Sequence, residues 1–102
     1  MRFLMHISFP PEQFNKAVLD GSVNQKMSRV LEDLKPEAAY FCAESGKRGG
    51  YFVVNLERAA DMPRYAEPWF LMFNATVEFL PTMTPADLRE AGLDDLAKKW
   101  RS

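Results

Sequence analysis

The chain has 102 residues, of which 47% are hydrophobic and 26% are charged, and its formal net charge is −1. This length supports one hydrophobic core, so we predict a single domain over residues 1–102. The balanced charge provides no positive field to hold a polyanion, and the apolar content excludes a disordered segment.

The N-terminal third of the chain predicts a strand followed by a helix. Residues 2–9 alternate between two sets of side chains, which is the two-residue period of a half-buried strand. Pro10 and Pro11 end this strand and start a helix, whose apolar residues recur at helical spacing as far as Leu34. Gly21 lies in the middle of that segment and favours a kink or a split into two helices.

The middle of the chain predicts a β-hairpin. Residues 38–44 and 51–56 are β-prone, and the six residues between them, SGKRGG, are typical of a turn. If Glu44 faces Tyr51 across this turn, the even-numbered residues of the first run share a sheet face with the odd-numbered residues of the second.

The next segments predict a helix and a fourth strand. Residues 58–73 carry apolar side chains at helical intervals, and Pro63 and Pro68 force this helix to be short or interrupted. Residues 75–80 alternate again, as a strand does.

The C-terminal segment predicts a further helix. Thr84, Pro85 and Asp87 combine an N-cap, a first-turn proline and an acidic third position, so we predict a helix from Thr84 towards Trp100 with a break at Gly92. The leucines of this segment and Trp100 are too apolar for a free tail. We expect them to pack on the same subunit or on a partner.

The number of cysteines and the length of the uncharged runs indicate the compartment, and they argue against a metal site and a membrane segment. Cys42 is the single cysteine, so it cannot close a disulfide within the chain, and we expect it to be a small packed residue in a reducing cytoplasm. One histidine and one cysteine do not make a metal site, and we expect no metal. The longest uncharged run, between Glu67 and Glu78, has ten residues and is shorter than the about 18 that span a membrane. We expect no membrane segment.

The order of the predicted elements is β, α, β, β, α, β, followed by the extra helix. This order predicts an α+β fold of the ferredoxin-like type, in which two helices cover one face of a four-stranded antiparallel sheet. The first strand is then central, between the third and the fourth, and the uniformly apolar sheet face meets the helices. His6 is therefore expected on the same sheet face as Glu78 and close to Val53 or Asn55.

The opposite sheet face is mixed in character, and about half of its side chains are apolar or aromatic. It is predicted to carry Leu4, His6, Ser8, Tyr40, Cys42, Glu44, Tyr51, Val53, Asn55, Thr76, Glu78 and Leu80. Exposed to water, such a face would be a larger apolar patch than monomers usually present. We therefore expect a homodimer in which a second copy of the sheet covers this face.

Four stretches of the sequence support a resemblance that covers nearly the whole chain: MRFLMHISFPPEQFN, MSRVLEDLKPEAAYF, AEPWFLMFNATVEFLPTMTPADL and AGLDDLAKKW. They are similar to the dimeric α/β-barrel superfamily, in which two ferredoxin-like subunits pack sheet against sheet. More narrowly, the chain resembles a group of bacterial proteins of this length with no established function. Other members of the superfamily include cofactor-free monooxygenases, polyketide cyclases, muconolactone isomerases and aldoxime dehydratases. The resemblance implies a fold and a dimer, and no diagnostic residue set carries over.

His6 and Glu78 are the candidate catalytic residues. His6 is the only histidine, and imidazole is the side chain best suited to exchange protons near neutral pH. Glu78 is expected beside it, where it would fix the tautomer of the ring. Other residues of the mixed face are expected to contact a small, partly apolar organic ligand without any cofactor: Leu4, Ser8, Tyr40, Tyr51, Asn55 and Thr76. Among these, Tyr40, Tyr51 and Asn55 can donate hydrogen bonds to a carbonyl or enolate.

Two other functions compete with this hypothesis. The first is a non-catalytic ligand-binding or purely structural dimer, in which His6 and Glu78 are interface residues. A pocket containing His6 would favour catalysis, and a filled interior would favour the structural alternative. The second is RNA binding, because RNA-recognition domains share this element order and the stretch RGGYFVVN partly matches their third-strand motif. We exclude it because Gly50 and Asn55 stand where the stacking aromatics belong.

Overall fold

A computed structural model of the protein describes residues 1–101, which form four strands and five α-helices. In chain order the elements are β1 (Arg2–Ser8), α1 (Pro11–Leu19), α2 (Val23–Leu34), β2 (Ala38–Glu44), β3 (Lys47–Asn55), α3 (Met62–Phe73), β4 (Thr76–Pro81), α4 (Pro85–Glu90) and α5 (Leu93–Trp100). A single 3-10 turn, Ala59–Asp61, precedes α3.

The four strands form one antiparallel sheet in the order β2-β3-β1-β4. This order confirms the predicted α+β fold, with β1 central, and it is consistent with the ferredoxin-like arrangement followed by extra helices. In the centre of the sheet, His6 of β1 pairs with Tyr51 on one side and with Glu78 on the other. The strand register therefore brings these three side chains to the same face.

The predicted first helix is two helices. Gly21 adopts a φ of 81°, which belongs to the left-handed region that side chains disfavour, and α1 ends just before it at Leu19. Of the two alternatives predicted for residues 58–73, the helix is shortened and not interrupted: α3 begins at Met62 with Pro63 in its first turn and continues through Pro68 to Phe73. Asn74 then ends α3 with a φ of 53°.

The hairpin turn is shorter than the predicted six residues. Ser45 and Gly46, with φ values of 54° and 74°, form a two-residue turn whose positive φ angles match the twist of paired strands. Glu44 consequently faces Lys47 and not Tyr51. The prediction of which residues share a face is nonetheless confirmed, since Tyr40 pairs with Tyr51.

Two of the glycines predicted to lie in the turn belong to β3. Gly49 faces Ser8 of β1 and Cys42 of β2 across the sheet, and a Cβ placed on Gly49 would collide with the carbonyl oxygen of Ile7. A Cβ on Gly50 would lie 2.8 Å from the carbonyl oxygen of Tyr40. These glycines therefore allow neighbouring strands to approach each other closely.

The core lies between the sheet and helices α1 to α3. Its largest fully buried side chains are Trp69, Phe9, Phe52, Met5 and Ile7. The ring of Trp69 stacks on Phe52 at a centroid distance of 5.0 Å, which joins α3 to the middle of β3.

Helices α4 and α5 extend away from this body. Thr84 and Asp87 form a capping box at the predicted N-cap, in which each side chain accepts a hydrogen bond from the other residue's backbone N–H. The backbone N–H of Thr84 at the Asp87 carboxylate, followed by the Thr84 side chain, lowers the pKa of Asp87. Gly92, with a φ of 70°, separates the two helices as predicted. Within residues 1–101, neither helix buries a side chain, and Trp100 is 77% exposed. The segment is helical as predicted, and of its two expected surfaces the chain's own body is not used, so packing on a partner stays a prediction.

Across residues 1–101, every helix is too short or too polar to cross a membrane.

Candidate functional site

The candidate site is centred on His6, in the middle of the sheet face that the helices leave uncovered. This face is called the open face below. Strand alternation directs Met5 and Ile7 into the core, so the His6 side chain between them projects from the open face. Only 17% of that side chain is exposed, because neighbouring strands supply side chains on both flanks. The imidazole is therefore held in a defined position before any ligand arrives.

Two carboxylates flank the imidazole. The Nδ1 atom of His6 lies 3.5 Å from Oε1 of Glu78, and its Nε2 atom lies 3.5 Å from Oε2 of Glu44. The contact with Glu78 follows from the predicted strand order. Glu44 was predicted on the same face but not as a neighbour of His6, because it lies two strands away from β1.

Tyr51 connects His6 to Glu44. Its ring stacks on the imidazole at a centroid distance of 4.6 Å and an interplanar angle of 15°, and its hydroxyl donates a hydrogen bond to Oε1 of Glu44. This hydrogen bond, followed by desolvation and by the charge of Glu44, raises the pKa of Tyr51 to about 12. The phenol therefore stays protonated at neutral pH and orients the Glu44 carboxylate.

This arrangement suits proton transfer. A neutral imidazole carries one N–H and can donate to one carboxylate, whereas an imidazolium can donate to both. His6 can therefore accept a proton at one ring nitrogen while a carboxylate holds the N–H at the other. Because Glu44 and Glu78 contact opposite ring nitrogens, the three side chains do not converge on one point. Among residues 1–101, no group of three or more His, Cys, Asp or Glu side chains is placed to hold a metal ion.

A shallow depression of about 230 Å³ lies beside His6. Ser8 and Thr76, two of the predicted ligand-binding residues, pair across β1 and β4 and line it. Lys47 and Glu44 line its other side, at the end of the hairpin. Lys47 was not predicted as a site residue, since it was assigned to the turn.

The remaining predicted ligand-binding residues lie at different distances from His6. Leu4 pairs with Val53 and Leu80 and forms an apolar strip next to the cluster. Tyr40 lies on the edge strand β2 opposite Tyr51, and it is 72% exposed.

Two further residues of the open face do not have the surroundings that the sequence suggested. Asn55 lies at the opposite end of β3, about 13 Å along the strand from Tyr51. Its side-chain oxygen accepts a hydrogen bond from the N-terminal ammonium of Met1 at 2.9 Å, so the structure does not bring Asn55 to His6. Cys42, expected to be packed, is exposed in the single chain.

A larger depression lies elsewhere, between α2 and α3, with a volume of about 530 Å³. Its walls include Val30, Pro68 and Leu71, and its charged residues are Arg29, Asp33, Arg64 and Glu67. None of the predicted site residues lines it. The larger depression therefore lacks the residues expected of an acid/base site, which lie around His6.

The comparison with protein families gives one match. A family model described as a domain of unknown function, DUF3303, matches residues 1–95, which include the whole sheet and every residue of the site described above. No curated protein matches the chain.

Proposed function

The chain belongs to the DUF3303 family, and we propose that its open face is an acid/base site for a small, partly apolar organic molecule, enclosed between two copies of the chain. The observation that carries this proposal is the position of His6 between two carboxylates on a half-apolar face. A carboxylate beside one ring nitrogen favours the tautomer with the N–H there, which leaves on the other nitrogen the lone pair that a general base uses.

The enclosure is argued from the side chains of the open face. Tyr40 and Leu80 are exposed there, and Leu4 and Val53 are only half-buried. Two sheets pack face to face at a spacing of about 10 Å when side chains fill the gap, so a ligand needs a place where those side chains are short, as in the depression that Ser8, Gly49 and Thr76 line. Closing the face would also exclude water, and electrostatic interactions with the reacting atoms would then be stronger.

The chemistry we propose is removal of a proton from a carbon next to a carbonyl group. His6 accepts the proton, while the carboxylate of Glu78 stabilises the imidazolium that forms. Negative charge develops on the carbonyl oxygen, and the hydroxyls of Ser8 and Thr76 lie in the same depression to donate hydrogen bonds to it. Tyr51 is less suited to that task because its hydroxyl donates to Glu44. Isomerisation, cyclisation and cofactor-free oxygenation can all begin with this step.

The test is exchange of α-protons with solvent deuterium, followed by NMR over a panel of small apolar ketones and enolisable lactones. We expect the protein to accelerate exchange of at least one compound, and His6→Gln to return it to the uncatalysed rate. Arg29→Gln, in the depression on the helix side, serves as the matched control and should exchange like wild type. Compounds that shift the NMR signals of Ser8 and Thr76 without exchanging would contradict catalysis and favour the non-catalytic binding dimer.

A further inference from the structure

The C-terminal arm, residues 82–101, is the part of the structure whose surface the proposed function does not use. The protein measures 61 × 29 × 20 Å, with a radius of gyration of 17.5 Å, whereas a compact chain of this length has about 13 Å. The difference arises because α4 and α5 make only slight contacts with the sheet and with α1 to α3. The arm therefore depends little on its own subunit.

The second helix of the arm, α5, has an apolar stripe. Leu93, Leu96, Ala97 and Trp100 recur at i, i+3, i+4 and i+7, and all four are exposed. A helix of eight residues is too short to be stable in water by itself, so its formation requires a surface that covers this stripe.

The charges of α5 are separated along its length. Asp94 and Asp95 lie in the first turn, and Lys98 and Lys99 lie in the last turn. When two copies of this helix run antiparallel, the acidic turn of each lies beside the basic turn of the other, whereas a parallel pair places like charges together. The helix is therefore complementary to itself under a two-fold axis, which is the symmetry of most dimers.

The depression between α2 and α3 is the alternative surface for the arm, and its charges fit less well. The guanidinium of Arg64 donates to the backbone carbonyl of Asp33 at 3.2 Å, so these two residues lie at the same end of the depression. Arg29 and Glu67 then lie towards the other end, one on each helix. Each wall therefore has one basic and one acidic residue, and the order of the two is opposite on the two walls. A helix with an acidic start and a basic end would meet like charges along one wall whichever way it runs.

We propose that the α5 helices of two copies pair antiparallel, stripe against stripe, with Ala97 near the two-fold axis. This contact does not rest on the chemistry proposed for His6. Two eight-residue helices bury less surface than a stable interface requires, and a contact between the open faces of the same two chains would raise the effective concentration of the arms.

The test is disulfide trapping in the full chain. Cys42→Ser removes the native thiol, and Ala97→Cys then introduces one thiol at the centre of the stripe. We expect mild oxidation to give a covalent dimer, because paired helices bring this position within the Cα separation that a disulfide spans. Leu19→Cys, at an exposed position on α1, is the matched control and should give little covalent dimer.

Charge reversal makes the test specific for arm-to-arm pairing. In the Ala97→Cys chain, Asp94→Lys with Asp95→Lys makes all four charges of α5 basic (called the all-basic arm), and Lys98→Asp with Lys99→Asp makes all four acidic (called the all-acidic arm). We expect each variant alone to lose the covalent dimer and an equimolar mixture to recover it as a heterodimer, identified by mass.

Net charge is controlled with a body variant, Glu12→Lys with Glu32→Lys, which carries Ala97→Cys and the same charge change as the all-basic arm. Mixed with the all-acidic arm, it should give less heterodimer than the all-basic arm does. Equal yields from the two mixtures, retained dimer in the single variants, or trapping at Ala97→Cys no greater than at Leu19→Cys would each overturn the proposal.

Discussion

The hydroxyl of Tyr51 donates a hydrogen bond to Glu44, although the register of the hairpin pairs Glu44 with Lys47. The contact is diagonal across two strands, and both side chains are long enough to make it. Because the same tyrosine stacks on His6, it holds the carboxylate of Glu44 beside the centre of the open face, although Glu44 lies on β2, two strands away from β1.

The phenol of Tyr51 should ionise late in an alkaline titration. Its pKa in the folded protein is about 12, above the value of about 10 in an unfolded chain, because the neutral phenol donates to Glu44. The resulting stabilisation is complete below pH 10 and is lost as the pH rises from about 10 to about 12. Phenolate absorbance will show the late step, and Tyr51→Phe should remove it. Glu44→Gln should lower this pKa towards its ordinary value, and an unchanged late step in that variant would contradict the assignment.

Substitutions at His6 and Glu78 should separate proton transfer from binding, once the exchange assay has identified a substrate. His6→Ala should lower kcat by about 10²–10⁴-fold while the fold is retained, since a general base contributes about that much. Glu78→Gln should reduce kcat more than it changes KM, because the amide still accepts a hydrogen bond but does not stabilise the imidazolium. An increase in KM with unchanged kcat for Glu78→Gln would instead indicate a binding role.

Two copies of the chain should associate through the open face. Light scattering should give twice the chain mass of 11.7 kDa at micromolar concentration. Val53→Asp should reduce this to the monomer mass, because it places an unpaired charge between the two sheets. Leu71→Asp is the matched control, since it makes the same change on the outer surface of α3 at a side chain that is 80% exposed. A wild-type monomer, or dimers in both variants, would contradict this interface.

Trp69 should dominate the stability of the core. Trp69→Ala is expected to lower the free energy of unfolding by about 3–5 kcal/mol, measured by urea denaturation and circular dichroism. Trp69→Phe should cost much less, because the ring contact with Phe52 is kept and the buried indole N–H, which has no hydrogen-bond partner within residues 1–101, is removed. Equal losses for the two variants would contradict this prediction, because they would show that a phenyl ring at position 69 restores none of the packing on Phe52.

Gly49 should tolerate no side chain. Gly49→Ala is expected to lower the free energy of unfolding by about 1–3 kcal/mol, because the added Cβ would collide with the Ile7 carbonyl and push β3 away from β1. Ala43→Gly on β2 makes the reverse change at an exposed strand position and should cost about 0.5–1 kcal/mol through backbone entropy alone. A Gly49→Ala protein as stable as wild type would show that the strands separate without penalty.

Alternation predicted correctly which side chains share the open face, because the observed hairpin register differs from the expected one by four residues, and an even shift leaves every side chain on the same face. The neighbour of His6 in β4 also followed, since Glu78 was expected beside it once β1 is central. Its neighbour in β3 did not, because Val53 or Asn55 was expected and the register pairs His6 with Tyr51. The hairpin register did not follow, because SGKRGG contains several glycines and only the positive φ angles of Ser45 and Gly46 distinguish the turn from the strand. The Glu44 contact depends on that register and on two long side chains, which no periodicity encodes.

The orientation of the arm relative to the rest of the chain could not be predicted from the sequence either. The apolar stripe of α5 predicts a covering surface, but the same pattern fits the chain's own core, a partner's body or a partner's arm. Sequence motifs predicted this segment correctly where the interacting residues are close together in the chain. The capping box at Thr84 and the break at Gly92 both involve residues a few positions apart, and both are present as predicted.

The two tryptophans of the chain occupy opposite extremes of solvent contact, with Trp69 sealed in the core and Trp100 at the tip of the arm. Their intrinsic fluorescence therefore reports separately on the core, through Trp69, and on the arm, through Trp100. Emission from the core ring should be blue-shifted and inaccessible to a collisional quencher such as acrylamide, while emission from the arm should be red-shifted and readily quenched. Dilution that uncovers the arm would change the second signal and leave the first unchanged, so assembly and unfolding have separate optical signatures in the unmodified protein.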